Sequence, residues 1–466
     1  MGGNPLQITL GWLAEAVGGR ALAGGAGERI GRVVTDTRQL AAGDFFVALR
    51  GPRFDGHAFV GQARDRGAMG ALVGRNFAGP LWGAMVQVGD TLRALQDLAQ
   101  AVRSESGTRV IAITGSAGKT TTKEAVASLL GAKFRVAWNE GNLNNHIGLP
   151  LSLLELRTRP DVAVMELGMN HAGEVSRLVA IAKPDVRVWT NVGDAHLGFF
   201  ASPDAIADAK AEILEGAVAD SALVCNADDD RVMPRVARFP GRRLTFGAAR
   251  TADVRATEIE DRGTDGMRAR LTTAKGARML STSLLGRGNL SNMLAAAAVA
   301  VEFDVPLDDI ADGIAALEPA DRRGVVHRLR DGVAVIDDSY NSSPAALRQA
   351  LDVVAHDARS TRKVAALGEM LEWGGSALPL HEECGRVAAG AGLARLVTVG
   401  GAPARAMAEA AIAAGLSPNA VTWCGDSTQA AAVVEALIRP DDLVLVKGSR
   451  GVRMDVVVDR ILAECG

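Results

Sequence analysis

The sequence is poor in cysteine and has no long apolar run. Its four cysteines, Cys225, Cys384, Cys424 and Cys465, are far apart and form no C-x-x-C pair, which excludes a zinc knuckle and a disulfide framework. No apolar stretch reaches the roughly 20 residues that a membrane-spanning helix needs. The first ten residues lack the basic start and apolar core of a signal peptide. We therefore expect a cytoplasmic protein with no membrane insertion.

Basic charge and aromatic side chains are also scarce. The formal net charge is -3, aromatic residues make up 4% of the chain, and there is a single tyrosine. A general nucleic-acid binder needs a basic face, and base stacking needs aromatic platforms, so we expect no nucleic-acid partner. The 466 residues are 48% hydrophobic and 23% charged. This length and composition predict roughly two to four globular domains.

Three segments differ in their hydrophobic pattern. Residues 1–105 contain short strand-like runs around an alanine-rich helix at 58–66. In residues 106–318, continuous apolar runs alternate with helical stretches, which predicts a parallel sheet covered on both faces. The alternation restarts in residues 319–466, which predicts a further α/β domain. The runs in the last two segments begin at Val110, Val162, Val186, Ala222, Val333, Val364, Leu396 and Leu443.

The stretch TGSAGKTTTKE at 114–124 indicates a phosphate-binding loop. An apolar strand ends at Ile113 and Lys119 opens a helix, so backbone N–H groups and the helix N-terminus converge where an anion binds. Ile113 replaces the early glycine of the common G-x-x-x-x-G-K-[ST] pattern, and Thr120 can offer its hydroxyl to Mg²⁺. The alternative is a strand-to-helix turn with an incidental lysine. The loop alone does not separate a kinase, an ATPase and a ligase.

Three residues follow the loop as candidates for its chemistry. Glu166 ends a core strand, where ligands of open α/β sheets bind, and is a candidate Mg²⁺ ligand; the alternative is a solvated strand-end carboxylate. His196 lies just past the next strand. A histidine there is more often a hydrogen-bonded loop residue than a metal ligand. Lys210 is on an amphipathic helix, where a lone lysine is ordinarily solvated. The asparagine-rich segment at 139–150 suits recognition of a polar substrate, or ordinary turns.

Together these residues resemble the Mur ligase family, which builds the peptidoglycan precursor. The segments Asp36-Thr-Arg38, Gly43 to Gly51 and Asp55-Gly-His57 look like its UDP-sugar-binding domain. The loop without the early glycine is the family's own version. Two stretches, DDSYN at 337–341 and LGEMLE at 367–372, point to the branch that adds D-alanyl-D-alanine. The resemblance covers essentially the whole chain.

The resemblance implies three α/β domains. Residues 1–105 would bind the UDP-sugar, residues 106–318 would form a P-loop-type parallel-sheet ATPase domain, and residues 319–466 would form a Rossmann-like ligase domain. Catalysis is assigned to Lys119, Glu166, His196 and Lys210. The ATP-binding residues would be Gly115, Ser116, Ala117, Gly118, Lys119, Thr120, Thr121, Asn289, Asn292, Arg323 and Asp338. The substrate-binding residues would be Asp36, Thr37, Arg38, Phe46, Asp55, Gly56, His57, Asn144, Asn145, Tyr340 and Asn341.

The implied reaction is ATP-driven formation of an amide bond. The carboxylate of UDP-MurNAc-tripeptide would attack the γ-phosphate, and the amine of D-alanyl-D-alanine would then displace phosphate. Two Mg²⁺ ions would be held by Thr120, Glu166, His196 and Lys210, with Lys210 as a carbamate that offers anionic oxygen. The C-terminal domain would close over ATP and exclude water. We expect a monomer. The alternatives are folylpolyglutamate synthetase, a P-loop kinase and a non-catalytic binding protein.

Three positions depart from the family pattern. Gly288 stands where a histidine is common before Asn289, and Gly198 replaces the glutamate usual after Ala-His-Leu. The Gly-Arg expected near the start of the C-terminal domain appears as Arg-Arg-Gly at 322–324. We assign the phosphate-contacting arginine to Arg323.

Overall fold

Three sheets organise the chain in the computed structural model. The structure describes residues 4–51, 54–193, 200–371 and 373–466, and the sheets within these ranges have five, nine and six strands. The alternating short apolar runs and helical stretches therefore produce the α/β layers that the sequence predicts, with helices covering mostly parallel strands.

The first sheet lies within residues 20–88. Its strand order is β1-β5-β4-β3-β2, with β1 antiparallel to β5 and the other pairs parallel. Helix α3 leaves this sheet and leads into the next one. The elements are α1 Leu10–Ala16, β1 Arg20–Ala23, β2 Val33–Val34, β3 Phe45–Val47, α2 Val60–Asp65, β4 Gly70–Gly74, β5 Ala84–Val88 and α3 Thr91–Ser106.

The central sheet lies within residues 109–282. Its parallel half begins with β6 Arg109–Thr114, α4 Lys119–Gly131, β7 Val136–Trp138, α5 Gly148–Leu154, β8 Val162–Glu166 and α6 Glu174–Ala182. It continues with β9 Val186–Trp189, α7 Pro203–Ala211, β10 Ala222–Asn226, α8 Val232–Val236 and β11 Arg242–Gly247. The rest comprises β12 Val254–Asp261, β13 Met267–Thr273, β14 Gly276–Thr282, α9 Gly286–Glu302 and α10 Leu307–Ala315. The strand order is β14-β13-β12-β11-β10-β9-β6-β8-β7.

An antiparallel extension at one side of this sheet was not predicted. Strands β12, β13 and β14 pair antiparallel, whereas β7 to β12 pair parallel. Buried and exposed residues alternate along β13, because only one of its faces is covered. A search for continuous apolar runs therefore misses these strands.

The third sheet lies within residues 325–447. Its order is β15-β16-β20-β17-β18-β19, with β15 antiparallel to β16 and the other pairs parallel. The elements are β15 Val325–Arg328, β16 Ala334–Asp338, α11 Pro344–His356, β17 Arg362–Gly368, α12 Ala377–Gly390, β18 Arg395–Val399, α13 Ala402–Ala413, β19 Val421–Cys424, α14 Ser427–Leu437, β20 Asp442–Lys447 and α15 Asp455–Cys465.

The first and central sheets share one hydrophobic core. Helix α3 buries Leu95, Leu98 and Val102 in the cluster that contains Phe45 of the first sheet and Val110 of the central sheet. The other face of the central sheet packs against α4 and α9 in a second cluster. The third sheet has separate clusters on its two faces. No helix in the described ranges is long and apolar enough to cross a membrane.

Candidate active site

A cleft of about 1200 Å³ separates the central sheet from the third sheet. The carboxyl ends of β6, β8, β16 and β20 open toward it, since the phosphate loop, Glu166, Asp338 and Lys447 all line it. Ligands of parallel α/β sheets bind at this end of the strands. The cleft therefore brings together candidates that are more than 200 residues apart in the chain.

The phosphate loop needs its glycines. Gly118 has φ +77°, and a Cβ there would lie 2.0 Å from Asn292 Oδ1. A Cβ on Gly115 would lie 1.9 Å from Thr190 Oγ1. Both glycines let the loop backbone approach its neighbours closely, and Gly118 also takes a left-handed conformation that side chains disfavour.

Asn191 supports the same loop and was missed at the sequence level. Its Oδ1 accepts a hydrogen bond from the Ala117 N–H at 2.9 Å, and its Nδ2 donates to the Ala117 carbonyl at 3.0 Å. Ser116 N–H donates to the Asn191 carbonyl at 3.1 Å. The position of Asn191 two residues after the end of strand β9 was the available signal, because the ends of parallel strands converge on the bound anion.

Lys119 is folded back over the loop. Its Nζ donates to the Gly115 carbonyl at 2.9 Å. Desolvation lowers the pKa of Lys119, the Glu166 carboxylate opposes this shift, and the Arg323 guanidinium adds to it. A bound phosphate would favour the charged ammonium and offer it stronger acceptors than this neutral carbonyl.

Glu166 is buried, not a solvated strand-end carboxylate. It is 3% exposed, and its two oxygens accept hydrogen bonds from Thr120 Oγ1 and Asn144 Nδ2, each at 2.8 Å. Thr120 and Glu166 thus place a hydroxyl and a carboxylate oxygen side by side in the cleft. Asn145 has a different role, since its Oδ1 accepts from the N–H groups of Ile147 and Gly148 at the start of α5.

Lys210 is also buried, although a helix lysine is ordinarily solvated. It is 1% exposed on α7, and burial lowers its pKa well below the usual lysine value, with the Lys119 charge adding to the shift. His196, Gly198 and Glu372 lie outside the described residues. Within the described ranges, no group of three His, Cys, Asp or Glu side chains could hold a metal ion.

The predicted nucleotide segment forms the start of α9. Asn292 Nδ2 donates to Asn289 Oδ1 at 3.2 Å, and Asn289 Nδ2 donates to the Leu285 carbonyl at 2.9 Å. Both asparagines line the cleft, as does Thr121 on the loop side. Gly288 lies against Gln349, whose Oε1 would be 2.6 Å from a Cβ at that position. Gln349 also lines the cleft.

The third sheet contributes a charged cluster to the opposite wall. Lys447 Nζ donates to Asp338 Oδ2 at 2.6 Å and to the Asn341 carbonyl at 3.0 Å. The Arg323 guanidinium lies 4.2 Å above the Tyr340 ring and lines the cleft. Arg322 turns away and pairs with Asp459 at 3.0 Å. Burial raises the pKa of Asp338, and the Lys447 ammonium opposes that rise.

The candidates in the first sheet lie elsewhere. All seven belong to the described part of the chain and none lines this cleft: Asp36, Thr37, Arg38, Phe46, Asp55, Gly56 and His57. The Asp36 and Arg38 side chains form a surface pair at 2.6 Å. Hydrogen bonds from the ring and backbone of His57 lower the pKa of Asp55 to about 2. Phe46 is 1% exposed and packs in the core beneath this surface.

The comparisons with known proteins agree with this geometry. The sequence profile of the Mur ligase middle domain matches residues 113–300, and that of the Mur ligase glutamate ligase domain matches residues 322–450. The UDP-N-acetylmuramoyl-tripeptide–D-alanyl-D-alanine ligase of Bacillus subtilis is 34% identical over 92% of this chain and 93% of its own length. The chain belongs to the Mur ligase family.

Solved structures of Mur ligases share the whole architecture. MurF from Acinetobacter baumannii superposes with a TM-score of 0.89 at 32% identity, over 99% of this chain and 100% of that chain. MurF ligase from Thermotoga maritima, solved in complex with ADP, superposes with a TM-score of 0.83 at 28% identity, over 93% of this chain and 97% of that chain. The first, central and third sheets of this Mur ligase therefore have counterparts in single chains of known structure.

Proposed function

We propose that this Mur ligase joins D-alanyl-D-alanine to UDP-N-acetylmuramoyl-tripeptide, with cleavage of ATP to ADP and phosphate. The observation that carries the proposal is the cleft, where Lys119, Thr120 and Glu166 of the central sheet face Asp338 and Lys447 of the third sheet. Similarity to ligases of this named activity extends over nearly the whole chain. The product would be the UDP-MurNAc-pentapeptide precursor of peptidoglycan.

The proposed reaction has two chemical steps. A carboxylate oxygen of the tripeptide attacks the γ-phosphorus, and the bond from that phosphorus to the β-bridging oxygen breaks, giving an acyl phosphate and ADP. The neutral amine of D-alanyl-D-alanine then attacks the acyl carbon; phosphate leaves and the nitrogen loses a proton. Lys119 and the loop N–H groups offset the repulsion between the carboxylate and the phosphates.

Thr120 and Glu166 fit a magnesium site. Their facing oxygens lie 2.8 Å apart, and Mg²⁺ is bound in phosphoryl-transfer sites by one or two protein oxygens together with phosphate and water. We propose that these two residues hold one Mg²⁺ with ATP. The ion would supply charge neutralisation at the phosphates. His196, outside the described ranges, and Lys210 are proposed for a second Mg²⁺.

Lys210 fits the proposed carbamate. Burial favours its neutral amine, which is the form that attacks CO₂ to give a carbamate and a proton. The modification replaces a buried cation, which would repel a metal ion and Lys119, with an anionic oxygen ligand. We therefore propose that Lys210 acts as a carbamate.

The remaining assignments divide the substrates among the domains. We propose that residues 1–105 bind the UDP-sugar through Asp36, Arg38, Asp55 and His57, which form two polar pairs at the surface of the first sheet. We propose that residues 106–318 hold ATP and that residues 319–466 present D-alanyl-D-alanine near Tyr340 and Asn341. We propose that the chain acts as a monomer.

Two alternative activities are less supported. Folylpolyglutamate synthetase has a similar phosphate-binding loop, but it lacks a dedicated UDP-sugar domain. This chain has a five-stranded sheet before its loop. A P-loop kinase would phosphorylate a hydroxyl and need no amine acceptor.

One assay tests the proposed function against both alternatives. Phosphate release is measured with ATP, Mg²⁺ and each of two UDP-linked tripeptides, carrying diaminopimelate or lysine, with and without D-alanyl-D-alanine. We expect release only when both the peptide and the dipeptide are present, together with a UDP-linked pentapeptide identified by mass spectrometry. ADP formation without an amine acceptor or a new amide would refute the ligase assignment.

A further inference from the structure

Three buried side chains connect the helix that follows the phosphate loop with the carboxyl end of β8. Lys123 lies on α4 one turn after Lys119, Asn139 directly follows β7, and Glu166 ends β8. Their exposed fractions are 1%, 0% and 3%. Neither Lys123 nor Asn139 has a role in the reaction described above.

The Asn139 side chain takes the place of a strand neighbour. The last paired residues of the β7–β8 ladder are Trp138 and Val164. Beyond them, Asn139 Oδ1 accepts from the Glu166 N–H at 2.9 Å, and Asn139 Nδ2 donates to the Glu166 carbonyl at 3.1 Å. The same Nδ2 donates to the Leu143 carbonyl at 2.9 Å. One amide thus satisfies both backbone groups of Glu166 and fixes the direction of its side chain.

Lys123 forms a hydrogen bond with the backbone of Asn139. Its Nζ donates to the Asn139 carbonyl at 2.7 Å, a neutral acceptor. A buried ammonium without a carboxylate partner is costly, and among the ion pairs of the described residues Lys123 has none within 4.0 Å. Burial lowers the pKa of Lys123, and the Glu166 carboxylate opposes this shift at longer range.

We propose that Lys123 and Asn139 form a positioning pair for Glu166, which holds its carboxylate beside Thr120. The inference rests on the proposed function, because it gives Glu166 its role in holding Mg²⁺. Groups that orient a metal ligand affect metal affinity without touching the metal.

Binding of Mn²⁺ in the presence of ADP tests the pair without an acceptor substrate. Free Mn²⁺ is measured by electron paramagnetic resonance for the full chain and for Lys123→Met, Lys123→Arg and Asn139→Leu. We expect Lys123→Met and Asn139→Leu to weaken Mn²⁺ binding by about 10- to 100-fold, the usual effect of losing such a partner. ADP affinity in EDTA should stay unchanged, and Lys123→Arg should restore most of the Mn²⁺ affinity.

Thr122→Val is the matched control. Thr122 is the preceding, fully buried residue of α4, and its hydroxyl has no hydrogen-bond partner among the described residues. If Lys123→Met does not fold, Asn139→Ala decides, since it removes the acceptor for the Glu166 N–H and both donors without adding charge. It should weaken Mn²⁺ binding in the same direction.

Two results would overturn the inference: unchanged Mn²⁺ affinity in the folded variants, or an equal loss in Thr122→Val. In the ligation assay, the half-saturating Mg²⁺ concentration should rise in Lys123→Met while the KM for D-alanyl-D-alanine stays unchanged. Because Mn²⁺ and ADP binding needs no acceptor, absence of ligation by the unmodified chain would count against the proposed function alone.

Discussion

Lys447 and Asp338 are register partners on adjacent strands β20 and β16, and their side chains form an ion pair of 2.6 Å. The lysine side chain is 2% exposed and the aspartate side chain 23% exposed. The same ammonium holds the Asn341 carbonyl at 3.0 Å. One buried lysine therefore fixes both a proposed ATP-binding carboxylate and the loop that carries Tyr340.

Replacing Lys447 with methionine should destabilise the third domain. The substitution leaves the partly buried Asp338 carboxylate without its partner, and we expect a loss of up to about 3 kcal/mol of the free energy of unfolding, the cost of breaking a buried pair. Urea unfolding followed by the fluorescence of Trp373 and Trp423 measures the loss, with tryptophans elsewhere replaced. Lys363→Met, on the neighbouring strand β17, is the control, since the Lys363 ammonium donates to the neutral Ala355 carbonyl. Equal losses in both variants would contradict the prediction.

Replacing Glu166 with glutamine should abolish most ligation while the chain stays folded. Glutamine keeps the shape and can still accept from Asn144, but it removes the anionic oxygen beside Thr120. Loss of about 3 kcal/mol of transition-state stabilisation lowers kcat about 100-fold or more. Steady-state phosphate release at saturating Mg²⁺ measures kcat. Glu155→Gln, at an exposed carboxylate, should match the unmodified chain. A fully active Glu166→Gln variant would remove the proposed metal site.

Activity should depend on CO₂ through Lys210. Removing CO₂ from the buffer should lower the ligation rate, and added bicarbonate should restore it, because the neutral buried amine reacts with CO₂. Incubation with ¹³C-bicarbonate should give a carbamate signal by NMR. Lys210→Met should lose the signal and the response to bicarbonate, whereas Lys183→Met, at an exposed lysine, should keep both. A fully active Lys210→Ala variant, or no carbamate signal, would refute the modification.

His381 should make stability fall in mild acid. It is fully buried on α12, where its Nε2 accepts from the Met370 N–H at 2.8 Å and its Nδ1 donates to the Ala377 carbonyl at 2.7 Å. Burial lowers the pKa of His381 below its ordinary value. The unfolded chain therefore binds more protons than the folded chain as pH falls below about 6.5, so stability decreases through that range.

Urea unfolding at about pH 7.5 and pH 5 measures this dependence. His381→Gln should lose less stability between the two values than the unmodified chain, because glutamine does not titrate. An identical pH dependence in His381→Gln would contradict the assignment.

Continuous apolar runs located the parallel strands well. The runs at Val110, Val162 and Val186 became β6, β8 and β9, and the helix expected at 58–66 is α2 preceded by a 3-10 turn. Strands β1, β7, β11 to β15 and β19 were missed, because a short or half-exposed strand has no continuous apolar run. These strands form because they pair with other strands, and a local sequence pattern does not reveal that pairing.

The motifs identified residues that line one cleft, whereas burial could not be judged from the sequence. The loop, Glu166 and Asp338 line the same cleft, although they are far apart in the sequence. A solvated side chain was the ordinary expectation for Lys210, and the structure buries it. Lys123 and Asn139 act through hydrogen bonds to backbone groups far along the chain, so residue type and spacing alone gave them no distinct signal.

The core that α3 shares between the first two sheets has a consequence for folding cooperativity. Leu95, Leu98 and Val102 contact both layers, so neither layer keeps its apolar interior when the other opens. Although the chain has three sheets, the first two should unfold together, so residues 4–318 should melt as one cooperative unit. Scanning calorimetry should then resolve two heat-absorption peaks, and an isolated fragment that ends at residue 90 should fail to fold.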